Sequence, residues 1–395
     1  MQKVRILKVL AVMGIMLLLL PTNLMAERIP VAILRTNADG KTKTLTFTYA
    51  ERPKVFARRG QNGIHRLNKG WFKDEVEHYK NLNLIEDRPT WLDMKSDGDL
   101  NNYVNNDKIT TVKFDKSFSM ARPTSTFYWF WGLRKLKTII GIENLNTSEV
   151  KYMTSMFKEC CSLTELDVSG FNTANVEEMT RMFEGCSQLK TLDISGFNTA
   201  NVQDMGCMFE GCSQLETIDV SGFNTANVED MGSMFEGCSQ LETIDVSGFN
   251  TANLSGMYCM FRGCHNLKSI DISSFNIGKI VSNDVYDMND IWNEEEKREL
   301  LHRCVDDIFS GCSNLRTINI GGNDFSIFTT YNADIPGDVF KGVGTIDSPC
   351  RLIVNQQFDQ SVLGPKHDNG NGGFYRWLNG YFTLDTARPE SETNY

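Results

Sequence analysis

The sequence predicts an α/β solenoid, with short parallel strands along one side of a stacked coil and short helices along the other. Three periodic observations carry this. The block F-E-G-C-S-Q-L begins at Phe183, Phe209 and Phe235, with looser versions from Phe157, Phe261 and Phe309. Cys160, Cys186, Cys212, Cys238 and Cys264 recur every 26 residues, as do Asp167, Asp193, Asp219, Asp245 and Asp271. The Phe-Asn pairs from Phe171-Asn172 to Phe275-Asn276 keep the same step. One strand and one helical segment cannot bury both faces alone, so neighbouring repeats must stack.

The chain opens with Lys3, Arg5 and Lys8, then an apolar run of 12 residues from Val9 to Leu20, Pro21 and the small residue Ala26. That is the layout of a secretory leader cleaved after Ala26. The run is too short for the roughly 20 residues of a membrane-spanning helix, so no span is expected in the mature chain. From Glu27 to about Gly132 nothing repeats. V-A-I-L-R from Val31 and T-L-T-F-T-Y from Thr44 flank Asp39-Gly40 and read as a β-hairpin whose turn exceeds two residues. Residues 27–132 are therefore expected to form a β-rich N-terminal cap domain. F-Y-W-F-W, from Phe127 to Trp131, reads either as an aromatic binding platform or as a cover over the open end of the core, and the second reading is favoured because terminal repeats need capping.

The solenoid is assigned to residues 133–349. In the copy from Asn227 to Asn250, Asn227 stands as a helix cap before the acids of Val228-Glu229-Asp230. Met231, Met234 and Phe235 give an inward stripe, and Gly237 ends the helix. Ile244 and Val246 then alternate with Thr243, Asp245 and Ser247, as in a half-buried strand. The step from Cys264 to Cys312 is 48 residues, one period plus 22, so an insertion at about 277–303 is expected to interrupt the regular surface. Residues 350–395, with F-Y-R-W-L-N-G-Y-F-T-L, are assigned to a C-terminal cap.

The repeat L-x-x-I-D-V-S-x-F-N-T-A-N-V-x-x-M-x-x-M-F-x-G-C-S-x-L closely resembles the 26-residue repeat of the BspA-like leucine-rich-repeat surface proteins. V-F-K-G-V-G-T-I-D-S-P-C-R-L-I-V from Val339 resembles the last, degenerate coil of such arrays. The resemblance implies a leucine-rich-repeat-like right-handed superhelix, a secreted or cell-surface location, adhesion to host proteins in some members, and no enzymatic activity.

With 41% hydrophobic and 23% charged residues, the chain can form a substantial core. Its formal net charge of -10 argues against nucleic-acid binding, which requires a basic surface. The charge is uneven: +5 over residues 27–132, -9 over 133–280 and -9 over 281–395. Ten acids and no Lys or Arg lie between Lys190 and Arg262, which suits either a solvated surface or a basic partner. No zinc-ligand spacing, G-x-S-x-G elbow or phosphate-binding loop occurs, so no metal, cofactor or catalytic residue is assigned.

Stacked coils place Asp193, Asp219, Asp245 and Asp271 in a row whose mutual repulsion must be offset, most simply by neighbouring Ser and Thr hydroxyls. Their small polar neighbours make poor binding anchors, so Tyr258, Arg262 and Trp292 are added as candidate contacts. The leading expectation is a non-catalytic protein that binds an extracellular or surface protein, a basic one being the match for the acidic repeats, through its solenoid. The alternatives are a glycan-binding module using terminal aromatic residues and a structural cell-envelope component. The eleven cysteines of an exported chain suggest disulfides. Those at the repeat position nevertheless read as buried free thiols, because stacked side chains point the same way. Cys161, Cys207, Cys259, Cys304 and Cys350 are left to carry any redox chemistry.

Overall fold

A computed structural model of the chain describes residues 28–51, 63–66, 108–277, 307–323, 339–356, 358–363, 365–368, 374–377 and 380–386. The leader, Trp292, Cys304 and most of the insertion lie outside these residues. Strand β1 (Arg28–Thr36) pairs antiparallel with β2 (Lys43–Glu51), from Arg28 opposite Glu51 to Thr36 opposite Lys43. The turn between them is longer than two residues because Asp39 Oδ1 accepts from the backbone N–H groups of Lys41 and Thr42, each at 2.8 Å. β3 (Gly63–Arg66) lies on the far side of β1, while β4 (Ile109–Phe114) and β5 (Thr138–Ile140) follow β2 in parallel, giving the order β3-β1-β2-β4-β5.

The aromatic run is an inner rung of the stack. Phe127, Trp129, Phe130 and Trp131 are buried. Trp129 stacks on Phe47 of β2 at 5.1 Å, Phe47 stacks on Phe114 of β4 at 4.7 Å, and Phe130 meets Phe157 of the first coil at 5.3 Å. These rings are not available as a sugar-stacking platform.

From Phe157 onward one phenylalanine per coil stacks on the next, through Phe183, Phe209, Phe235 and Phe261, with centroids 5.5 to 5.7 Å apart and rings nearly parallel. Met231, Met234, Cys238, Leu241, Ile244, Val246 and Phe249 are buried beside them, as the periodicity predicts. The predicted helices are absent: among the described residues, the coils between Val150 and Cys264 contain no α-helix. Met231, Ser233 and Phe235 donate their N–H groups to Gly256, Tyr258 and Met260 of the next coil, while Met234 and Cys238 close turns onto Met231 and Phe235. Backbone that alternates between bonds along the stack and three-residue turns cannot also make the i to i−4 bonds of a helix. Left-handed φ at Ser233 (55°) and Gly237 (71°) enforces the alternation.

Asn227 caps no helix. Its Nδ2 donates to the Ala200 carbonyl of the preceding coil at 2.7 Å. The Asn224 amide likewise serves its own loop, with Oδ1 accepting from Ala226 N–H at 3.1 Å. On the opposite side the coils meet through single parallel bridges, such as Asp167 with Asp193 and Thr191 with Thr217. Among the described residues, continuous strands are found at the two ends of the stack, up to β5 and again from Ser269, with single bridges between.

The insertion does not interrupt the stack. β6 (Ser269–Asp271) pairs in parallel with β7 (Thr317–Gly321), directly across it. Phe261 stacks on Phe309 at 5.6 Å and 3°, and Phe261 N–H donates to Ile308 O at 2.9 Å. By repeat register Ile277 corresponds to Thr251 and Asp307 to Cys259, so residues 278–306 replace the seven residues 252–258 of an ordinary coil. The two ends of the replaced segment match positions eight residues apart in one repeat, and the core rungs on either side touch directly.

The segment from Val339 adds a coil, with Phe340 stacked on Phe309 at 5.6 Å. β8 (Cys350–Val354) follows β7, then come β11 (Gly380–Thr386), β10 (Phe374–Trp377) and β9 (Lys366–His367). Phe382 of β11 closes edge-on against Phe340 at 5.0 Å.

Candidate functional site

The predicted contact residues fall on two separate rows of the solenoid. Asp193, Asp219, Asp245 and Asp271 are exposed on the strand face. Each is held by its own loop: Ser195 N–H and Oγ donate to Asp193 Oδ1 at 3.0 and 2.7 Å, and Ser221 and Ser247 repeat the arrangement on Asp219 and Asp245. The serine hydroxyl first and its backbone N–H second hold Asp193, Asp219 and Asp245 below the usual carboxylate range. Asp271 Oδ1 accepts from Ser273 N–H, and Oδ2 accepts from Asn319 Nδ2 at 2.8 Å, which ties the coils on either side of the insertion. One oxygen of Asp193, Asp219 and Asp245, and both of Asp271, are thus committed to fold geometry.

Tyr258 and Arg262 lie on the turn face. The buried rows of Cys264 and Leu267 come between them and Asp271 in their own coil. Arg262 reaches Glu236 of the preceding coil at 3.7 Å and Asp307, the first residue after the replaced segment, at 3.9 Å. The Tyr258 ring lies over Gly232, so close that a Cβ there would meet its Cε1 at 2.2 Å. Burial and then the Asp230 carboxylate push the Tyr258 hydroxyl up to about 12.

Sequence reasoning missed the column beside it. Glu178, Asp204 and Asp230 form successive parallel bridges and are partly buried. Asp204 Oδ1 accepts from Gly206 N–H at 2.8 Å, and Asp230 Oδ1 accepts from Gly232 N–H at 2.6 Å. Burial pushes the Glu178 and Asp230 carboxyls up, and the Asp204 carboxylate between them adds to both shifts. The available signal was the acid before the first Met of each copy, in E-M, D-M and D-M. Reading Asp230 as a first-turn helix acid placed it in solvent.

The next column, outward from the core, holds charges of both signs. Lys158 bonds Glu184 at 2.7 Å with both side chains largely buried, Arg181 lies 3.7 Å from Glu184, and Ser233 Oγ donates to Glu236 at 2.7 Å. Among the described residues no group of three or more His, Cys, Asp or Glu side chains is arranged to hold a metal ion.

The repeat cysteines are free and buried. Cys186, Cys212, Cys238 and Cys264 each donate Sγ–H to the phenylalanine carbonyl of the preceding coil at 3.2 to 3.3 Å. Burial raises their thiols far above the normal range, and the neighbouring sulfur adds to it. The four described cysteines left for redox chemistry are not activated either. Burial raises Cys161, brings Cys207 and Cys350 to about 12, and brings Cys259 to about 11. Thiols of this kind are poor nucleophiles.

Comparison with known proteins finds a match to the family model described as "Mycoplasma protein of unknown function, DUF285" over residues 101–217 and 186–299. No curated protein matches the chain. Two solved structures are similar. A leucine-rich repeat protein from Bacteroides ovatus is 13% identical, with 84% of this chain and 79% of that one covered and a TM-score of 0.27. A leucine rich cell surface protein from Faecalibacterium prausnitzii is 16% identical, with 74% and 87% covered and a TM-score of 0.22. The fold described above rests on the hydrogen-bonded stack itself. Among the described residues no helix is long and apolar enough to cross a membrane.

Proposed function

Because this chain belongs to the DUF285 family and is a BspA-like leucine-rich-repeat protein, we propose that it is a non-catalytic interaction protein, exported after cleavage at Ala26, whose solenoid binds an extracellular or surface protein. The observation that carries the reading is an unbroken stack whose sides bear ten acids and no Lys or Arg between Lys190 and Arg262. A rigid array of that kind attracts a basic protein surface at long range, and the attraction is screened by salt. The candidate contacts are Asp193, Asp219, Asp245 and Asp271 on the strand face, Tyr258 and Arg262 on the turn face, and Trp292; the interaction role holds whichever face carries it.

The test is binding of the chain to an array of extracellular-matrix proteins and glycans at several salt concentrations. Binding to basic proteins that weakens as salt rises is the expected outcome. Binding to glycans alone would overturn the reading in favour of a lectin, and no binding at all would leave a structural envelope role.

A further inference from the structure

The four most regular copies, from Thr173 to Asn276, allow an internal comparison. Exposed strand-face positions barely change: Thr191, Thr217 and Thr243 become Ser269 in the last copy, while the aspartate and the serine two residues later are the same in all four. The aspartate-to-serine hydrogen bonds explain that constancy. Divergence collects on the turn face instead. The column of Glu178 reads Glu, Asp, Asp, Gly; that of Thr180 reads Thr, Gly, Gly, Tyr; that of Arg181 reads Arg, Cys, Ser, Cys; and that of Glu184 ends in Arg262. Away from this face only the strand-entry column, from Lys190 to Lys268, changes charge.

A second observation is independent of charge. Each coil has two left-handed positions. One holds Glu159 (φ 60°) in the first coil and is glycine from Gly185 through Gly311, the residue that carries no Cβ penalty there. The other holds Ser155, Arg181, Cys207, Ser233, Cys259 and Asp307, all at φ between 54° and 58° and none of them glycine. Left-handed backbone disfavours these residues by about 1 kcal/mol or more each. From Arg181 onward side chains are therefore kept on this face against a backbone preference that the neighbouring column obeys, and strain of this kind is a pointer to function. The half-buried carboxylates Glu178, Asp204 and Asp230 are a further stability cost retained in the same place.

We propose that the turn face, not the strand face, is the recognition surface, and that it takes a protein segment rich in cationic side chains. This rests on the interaction role proposed above and names the face and the chemistry of the partner. In the three copies from Thr173 to Asn250 the face carries eight acids against one arginine, Arg181; Lys151, Lys158 and Arg262 of the flanking coils pair with Glu177, Glu184 and Glu236, which leaves the other five acids without a cation from those coils. Tyr258 closes one end as an aromatic wall beside Asp230, a pairing suited to a guanidinium group. Copy-to-copy differences along the columns give the surface a non-repeating pattern, as a specific partner requires and a periodic strand face does not supply.

The test compares two variants with equal change in net charge for binding of a labelled octa-arginine peptide to the full chain. Glu178→Gln with Asp204→Asn and Asp230→Asn keeps the acceptors for Gly206 and Gly232 N–H and is expected to weaken binding about tenfold. Asp193→Asn with Asp219→Asn and Asp245→Asn is expected to weaken it less than about threefold, the effect of exposed charges. A strand-face loss equal to or larger than the turn-face loss would overturn the assignment of the face while the interaction role stands. Failure of the unaltered chain to bind the peptide even at low salt would overturn the basic-partner reading as well. Arg181→Glu, which leaves the half-buried column intact, is expected to tighten binding, and unchanged affinity would count against the proposal.

Discussion

Asp204→Asn isolates the cost of the buried acid column. Asp204 stands between Glu178 and Asp230 at the bridge spacing of neighbouring coils, about 4.8 Å for paired strands. Two unit charges about 5 Å apart repel by about 0.8 kcal/mol in water and about 3 kcal/mol at an effective dielectric of 20. Partial exposure puts the sum over both neighbours near 2 kcal/mol after screening. Asparagine keeps Oδ1 as acceptor for Gly206 N–H and loses only the ionic part of that bond, about 1 kcal/mol. The variant is therefore expected to be more stable than the parent by about 1 kcal/mol at pH 7. The pH dependence fixes the cause. Glu178 and Asp230 titrate above their unfolded values, so their neutral forms favour the folded state. The parent regains stability as pH falls through those raised values, and the variant's advantage disappears once the carboxyls are neutral. Urea denaturation of both proteins at pH 7 and in acid reads this directly. A less stable variant at pH 7, or an advantage that persists in acid, would refute the reasoning.

Three further outcomes follow from the stack. Phe209→Ala removes a fully buried ring lying between Phe183 and Phe235; its loss should cost about 3–5 kcal/mol, seen as a lowered urea midpoint. Replacing residues 278–306 by a copy of residues 252–258 should leave the melting temperature within a few degrees, since the core rungs on either side already touch, and loss of cooperative unfolding would contradict this. Thiol reagent added to the native chain should spare Cys186, Cys212, Cys238 and Cys264, which are fully buried, and label them only when denaturant is present; rapid labelling of the native state would show that the ladder is open.

The period, the inward positions and the hydroxyl cover of the aspartates were legible in the sequence because every copy repeats the same chemistry. The local backbone was not. Met231, Met234 and Phe235 point inward equally well from a helical stripe or from stacked turns. The deciding feature, left-handed φ at Ser233, sits on a residue that gives no sign of it. Spacing alone shows 22 extra residues and an interrupted surface, and register adds that they replace one loop while the core continues: Asn323 Nδ2 donates to Ile272 O across it at 2.9 Å. The candidate contacts read as one set because sequence distance hides which row of a coil a residue occupies. Tyr258 and Asp271 are thirteen residues apart and belong to different faces.

The measurement that tests the central claim most directly is hydrogen exchange of the full chain with and without bound octa-arginine peptide. Recognition by the turn face predicts added protection in residues 177–184, 203–210 and 229–236, with residues 191–195, 217–221 and 243–247 unchanged. Protection confined to the strand segments, or spread evenly over both faces, would contradict it.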